Sequence, residues 1–170
     1  MGLVSDEATG AHLLETYGPK WSPGPFERGT DGPHLVLVGV DGSPTSLRAG
    51  AYAAGLARRQ KSQLVVVFVL TPSAWAGMTP GLLAGAQEET YDEMISELRE
   101  PIKRMAGESG VPVTFLVQRG DAYLELKKAA VEYRADLVVV GASESAGHRL
   151  VGSVATRLVK AGLWPVTVVP

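Results

Sequence analysis

Five short, nearly unbroken apolar runs constrain this chain more than any other feature: Leu35 to Val40, Leu64 to Leu70, Val111 to Val117, Leu137 to Val140 and Val166 to Val169. Each is rich in β-branched residues and shows no alternation of apolar with polar, the pattern of a strand covered on both faces. Helical patterns lie between them. Ser43 and Pro44 supply start signals for a first helix striped by Leu47, Ala51, Ala54 and Arg58. Tyr91, Met94, Leu98, Ile102 and Met105 stripe a second, which should bend near Pro101. Tyr123, Leu126, Ala130 and Tyr133 form the face of a third, and Val154, Leu158 and Ala161 that of a fourth. Five strands alternating with four helices predict an α/β fold: an open five-stranded parallel sheet with helices on both faces, Rossmann-like, wound by right-handed crossovers.

Residues 1–33 stand apart as an irregular N-terminal extension ahead of a domain at 34–170. Gly18, Pro19, Pro23, Gly24, Pro25, Gly29, Gly32 and Pro33 punctuate it, and only Ala11 to Tyr17 suggests a helical turn or two. It reads either as a disordered tail or as an arm that packs Trp21 and Phe26 onto the domain or a partner subunit.

Composition removes several classes of function. Sixteen basic against eighteen acidic residues give a net charge of -2, which offers no global attraction for nucleic acid or an anionic membrane. No cysteine occurs, so disulfide and thiolate chemistry are out. The N-terminus has no basic start followed by an apolar run, and no segment nears the roughly 18 apolar residues of a membrane span. The expectation is a cytoplasmic protein with no membrane and no nucleic-acid partner.

In a sheet of this kind ligands sit beyond the carboxyl ends of the strands, where the strand order reverses. The loops there are Asp41 to Thr45, Thr71 to Ala84, Gln118 to Ala122 and Gly141 to Val151. Asp41 follows a strand directly, so its carboxylate is placed to hold a ribose hydroxyl or an adenine amino group, or else Asp41 or Ser43 caps the first helix. Gly141 leaves a buried strand, and Gly152-Ser153 opens a helix whose unpaired amides can hold an anion.

Other chemistries lack their motifs. There is no G-x-x-x-x-G-K-[ST] phosphate loop, no dinucleotide fingerprint at Gly39 to Gly42 and no G-x-S-x-G elbow. His12, His34 and His148 are not spaced as metal ligands, although His148 and Arg149 adjoin in the candidate anion loop. Of the carboxylates at strand ends, Asp41, Asp121 and Glu144 form no recognised catalytic constellation, so no catalytic residue and no metal site are assigned. The acidic run Glu88, Glu89, Asp92, Glu93, Glu97 and Glu100 reads as a solvated helix face, and the stretch holding Trp75 and Met78 as a connector or a lid.

With these residues in view the chain resembles the universal stress protein family. The resemblance rests on LVLVGVDGSPTS, LVVVFVL, RGDAYLELKKAAVEYRADLVVVGA and GSVATRLVKAGLWPVTVVP, in order, over most of the chain. It implies a fold like that of the adenine-nucleotide α-hydrolases and a homodimer joined through the C-terminal strand. It further implies an adenine nucleotide contacted by Val40, Asp41, Val69, Val140, Gly141, Gly152, Ser153 and Val154. The chain departs from the ATP-binding pattern inside the phosphate loop. Glu144 stands where a second glycine is expected, and seven residues rather than nine separate it from Gly152. A carboxylate and a Cβ at that point oppose a triphosphate, so of the implied adenine nucleotides, ATP, AMP or cyclic AMP, the loop is left to AMP, a cyclic or other short-phosphate nucleotide, or to none. The expected role is a nucleotide sensor or buffer in the stress response that is not an enzyme, with weak ATP hydrolysis a minor reading. The alternative is a homodimeric interaction module that binds a protein partner and no nucleotide.

Overall fold

The computed structural model describes residues 13–20, 32–71, 83–143 and 152–170, the stretch 83–89 by its backbone alone. The elements follow in the order β1 (Leu13–Tyr17), β2 (Leu35–Val40), α1 (Pro44–Gln60), β3 (Gln63–Leu70), α2 (Leu83–Ser109), β4 (Val113–Arg119), α3 (Ala122–Glu132), β5 (Leu137–Gly141), α4 (Ser153–Ala161) and β6 (Val166–Val169). They build one six-stranded sheet ordered β1-β4-β3-β2-β5-β6. The pairs β4 with β3, β3 with β2, β2 with β5 and β5 with β6 are parallel.

The period of two in each strand divides the core in two. Val36, Val38, Val40, Leu64, Val66 and Phe68 face the side covered by α1 and α2. Leu35, Leu37, Val65, Val67, Val138 and Val140 face α3 and α4. Both faces are therefore largely apolar, with Thr114 and Gln118 of β4 as buried polar exceptions, which is why the strands read as nearly continuous runs. The chain fills β2, β3 and β4 outward, then returns across the sheet to place β5 on the other side of β2. That reversal leaves a crevice at the carboxyl ends of β2 and β5.

Three expectations need correction. Where a helical turn was expected over Ala11 to Tyr17, Leu13–Tyr17 is a strand that pairs antiparallel with β4, so the sheet is mixed and has six strands rather than five. Leu13 and Tyr17 pack against the α1/α2 side and Leu14 against the other, so the strand contributes to both cores. The ladder of β4 begins at Val113 instead of Val111 because Pro112 has no N–H to contribute; its carbonyl still accepts from the Leu64 amide at 2.9 Å. The buried face of α1 is Ala49, Ala53, Ala54 and Ala57, whereas Leu47 is 50% exposed. Methyl side chains let the helix lie close to the sheet, and closeness wins over the bulk of Leu47. The helix α2 runs to Ser109 with Pro101 inside it. Trp21, Phe26, His12, Trp75 and Met78 lie outside the described residues.

A half-buried ion pair fastens β1. The Arg99 Nε of α2 donates to both Glu15 oxygens, at 2.9 and 2.8 Å, and the Tyr17 hydroxyl donates to Glu15 Oε2. Burial pushes the Glu15 carboxyl up, but the bonds from Arg99 and Tyr17 outweigh it and hold the group below its ordinary value. Burial and the carboxylate raise Tyr17 to about 12. Because the folded state binds the Glu15 proton more weakly than the unfolded chain, this stabilisation is full above the usual glutamate range and is lost as pH falls through the depressed value. Glu15→Gln is expected to lower stability by about 1 kcal/mol at pH 7. Urea unfolding should show the deficit shrinking as pH falls below the usual glutamate range, and a deficit that does not change with pH would contradict the assignment.

Candidate functional site

The end of β2 is shaped by small residues. A Cβ at Gly39 would lie 3.0 Å from a Leu126 methyl carbon, so glycine lets α3 approach the strand. After Val40 the chain turns through Asp41 and Gly42, whose φ of +83° suits a residue without a side chain. Ser43 then takes an extended conformation and caps α1: its Oγ accepts from the Ser46 amide at 3.2 Å, with Pro44 at the first helical position. Asp41 acts on the turn instead. Its Oδ1 accepts from the Ser43 amide at 2.9 Å, and its own amide donates to Ser46 Oγ at 3.2 Å, which in turn donates to the Ser43 carbonyl at 2.9 Å. Burial raises the Asp41 carboxyl, but the bonds from Ser43 and Ser46 prevail and hold it below the ordinary aspartate value. It is therefore an anionic acceptor at neutral pH, fixed at the strand end.

The opposite wall comes from β5 and α4. At Gly141 a Cβ would stand 2.7 Å from the Ser46 nitrogen and from the Thr45 carbonyl carbon. Only a glycine lets the strand end abut the first turn of α1. Beyond it, the Ala142 amide donates to the Val169 carbonyl at 2.8 Å, tying the outgoing loop to β6. At the far side of that loop Gly152 is the N-cap of α4 with no side-chain cap, and a Cβ there would come within 3.1 Å of the Ser143 Cβ. The first turn of α4 thus presents its leading amides without a side chain of the cap residue satisfying them.

These pieces enclose a cleft of about 290 Å³. All eight residues expected from the sequence, Val40, Asp41, Val69, Val140, Gly141, Gly152, Ser153 and Val154, line it. Thr45, Ser46, Thr71, Ala122 and Ser143 line it too. None of the five was singled out from the sequence as a site residue, although all but Ser46 fall within the strand-end loops named there. Of the loop residues weighed earlier, Glu144, His148 and Arg149 lie outside the described residues. Asp121 caps α3 through the Leu124 amide at 2.9 Å and meets Arg157 Nη1 at 3.1 Å, while that guanidinium covers the Tyr123 ring at 4.1 Å. These contacts join α3 to α4 and account for Asp121 without a catalytic role.

The cleft has two zones. Val40, Val67, Val69, Leu126 and Val140 form an apolar slot suited to a flat ring. Asp41, the serine and threonine hydroxyls and the α4 amides form a polar end able to accept from sugar hydroxyls and to donate to an anion.

Comparison with known proteins places this geometry. The profile of the Universal stress protein family matches residues 34–170. Universal stress protein MJ0531 of Methanocaldococcus jannaschii is 29% identical over 136 residues, covering 79% of this chain and 80% of the relative. Among solved structures, universal stress protein UspA from Lactobacillus plantarum superposes with a TM-score of 0.66 at 24% identity, over 80% of this chain and 97% of that one. A universal stress protein described as in complex with cAMP gives a TM-score of 0.61 at 27% identity, over 81% and 97% of the two chains.

The contact at Gly141 yields a direct test. Gly141→Ala is expected to destabilise the protein by about 1–3 kcal/mol, because the added methyl meets backbone that cannot rotate away. Thermal and urea unfolding would read this, and a neutral substitution would show that β5 and α1 do not meet as described.

Proposed function

Since the chain belongs to the universal stress protein family, we propose that the cleft between β2 and β5 binds an adenine nucleotide with a short phosphate group, AMP or cyclic AMP, and that the protein senses or buffers it in the stress response. The observation that carries this reading is the convergence of an apolar slot, an ionised Asp41 and the uncapped start of α4 on one cavity. The residues fit the group. Val69 at the end of β3 offers backbone to the adenine edge, Asp41 accepts from the ribose, and Gly141, Gly152, Ser153 and Val154 receive the phosphate. The complex of a related protein with cAMP supports the nucleotide class. Glu144 and the shortened loop disfavour a triphosphate through charge and bulk.

In this reading the protein is cytoplasmic, binds rather than transforms its ligand and works as a homodimer. The edge strand β6 supports the dimer. Its four residues are only partly buried, Val159 and Leu163 nearby are 55% and 54% exposed, and a sheet edge of this composition calls for a covering partner. Among the described residues no helix is long and apolar enough to cross a membrane. One sequence feature favours a second reading, the non-binding interaction module: Glu144 stands where the phosphate loop of nucleotide-binding relatives needs glycine.

Calorimetric titration of the nucleotide-stripped protein separates the two readings. We expect saturable binding of AMP or cyclic AMP, weaker binding of ATP with or without magnesium, and roughly ten-fold loss of affinity in Asp41→Ala. Light scattering of the same sample should give the mass of two chains. An absence of heat with all four adenine nucleotides, ADP included, would remove the nucleotide reading in favour of the interaction module.

A further inference from the structure

A second cavity lies on the α1/α2 face of the sheet. Both helices pack on the same core cluster, yet a gap of about 400 Å³ separates part of α1 from α2. The cause is in the sequence of α1. Toward the gap this helix turns Gly50, Ala51 and Ala54, side chains too short to reach the neighbouring helix. The floor is the sheet itself, Leu64 and Val66, otherwise buried. On the α2 side stand Met94 and Met105, unbranched side chains that adapt to the shape of whatever they touch. Val40 borders both this groove and the polar cleft, but the linings differ in kind: hydrocarbon here, hydroxyls and backbone amides there.

Among the described residues around the groove, Glu97 alone is ionisable. It is exposed at the rim, and Glu93 and Glu100, one turn away on either side, are exposed as well. Lys103 and Arg104 follow on the helix but do not line the opening, and Lys103 acts on Glu15. The one charge that lines the opening among the described residues is therefore negative, over an apolar interior. A gap this size falls in the range of small-ligand pockets, roughly 300–1,000 Å³. It reaches down to the sheet, which suits a slender hydrocarbon group.

We propose that the groove between α1 and α2 is a second ligand site, for a small apolar molecule that carries a cationic amine. The hydrocarbon part lies along Ala51, Ala54, Met94 and Met105 over Leu64 and Val66, and the ammonium group meets Glu97 at the rim. This site is independent of the nucleotide reading, because it uses neither Asp41 nor the α4 amides.

The test uses the full chain and three probes of equal length below their aggregation concentrations: decylamine, decanol and decanoate. Binding is followed by calorimetry, with Ala51→Trp to fill the groove from an exposed position and Glu97→Gln to remove the rim charge. Expected are saturable one-to-one binding of decylamine, a preference of roughly five-fold or more over decanoate, and loss of most of that preference in Glu97→Gln. Ala51→Trp should keep the wild-type circular dichroism and melting transition while weakening decylamine by about ten-fold or more. If that variant fails to fold, Ala54→Leu serves the same purpose. No saturable binding, equal binding of the amine and the carboxylate, or undiminished binding in the filled and folded variant would overturn the proposal. So would a change of oligomeric state in Ala51→Trp without any effect of the amine, which would assign the groove to a second copy of the chain.

Discussion

Everything at the candidate site depends on one close approach: the end of β5 against the first turn of α1. Gly141 leaves no space for a Cβ between itself and the Thr45-Ser46 backbone. This contact brings the end of β5 beside the Asp41 turn, and residues at the start of α4 line the same cleft. Strand order supplies the opportunity, since a chain that leaves β4 and returns to the far side of β2 must open a crevice there. The glycine converts it into a narrow cleft with a charged acceptor on one wall and helix amides on the other. A ligand bridging the walls would need a ring, a hydroxylated middle and an anionic end.

Much of this was legible because the residues concerned obey local rules. Runs buried on both faces leave no alternation to misread, so β2 and β6 fall where the apolar runs begin and end. Ser43 before Pro44 marks the helix start on both the hydrogen-bonding and the φ criterion. The eight expected residues line one cleft because they sit at strand ends and a helix N-terminus, positions that a parallel topology brings together whatever the loops do. Their contacts with a ligand belong to the proposed function.

What escaped the sequence depended on distant partners. LLETY has no periodicity of its own beyond five residues, and it is a strand because β4 offers an edge and Arg99 a counter-charge to Glu15. The face of α1 was misjudged because a leucine outranks alanine in any local count of hydrophobicity, whereas the sheet selects for closeness. Ala54 belongs both to that buried face and to the gap beside α2, where Gly50 and Ala51 join it, so small residues on adjoining faces of α1 accompany both a tight interface and a cavity. The strand β1 also covers the β4 edge, and β6 stands at the opposite end of the sheet.

The central claim is that Asp41, Gly141 and the start of α4 act together on one nucleotide. Backbone nuclear magnetic resonance tests it residue by residue: amide shifts of the labelled protein titrated with cyclic AMP. The account predicts that the largest changes fall on Val40, Asp41, Val69, Gly141, Gly152 and Ser153, with a common saturation curve, while amides of β1 and the far end of α2 stay still. Changes scattered over the surface, or none at these six, would contradict it.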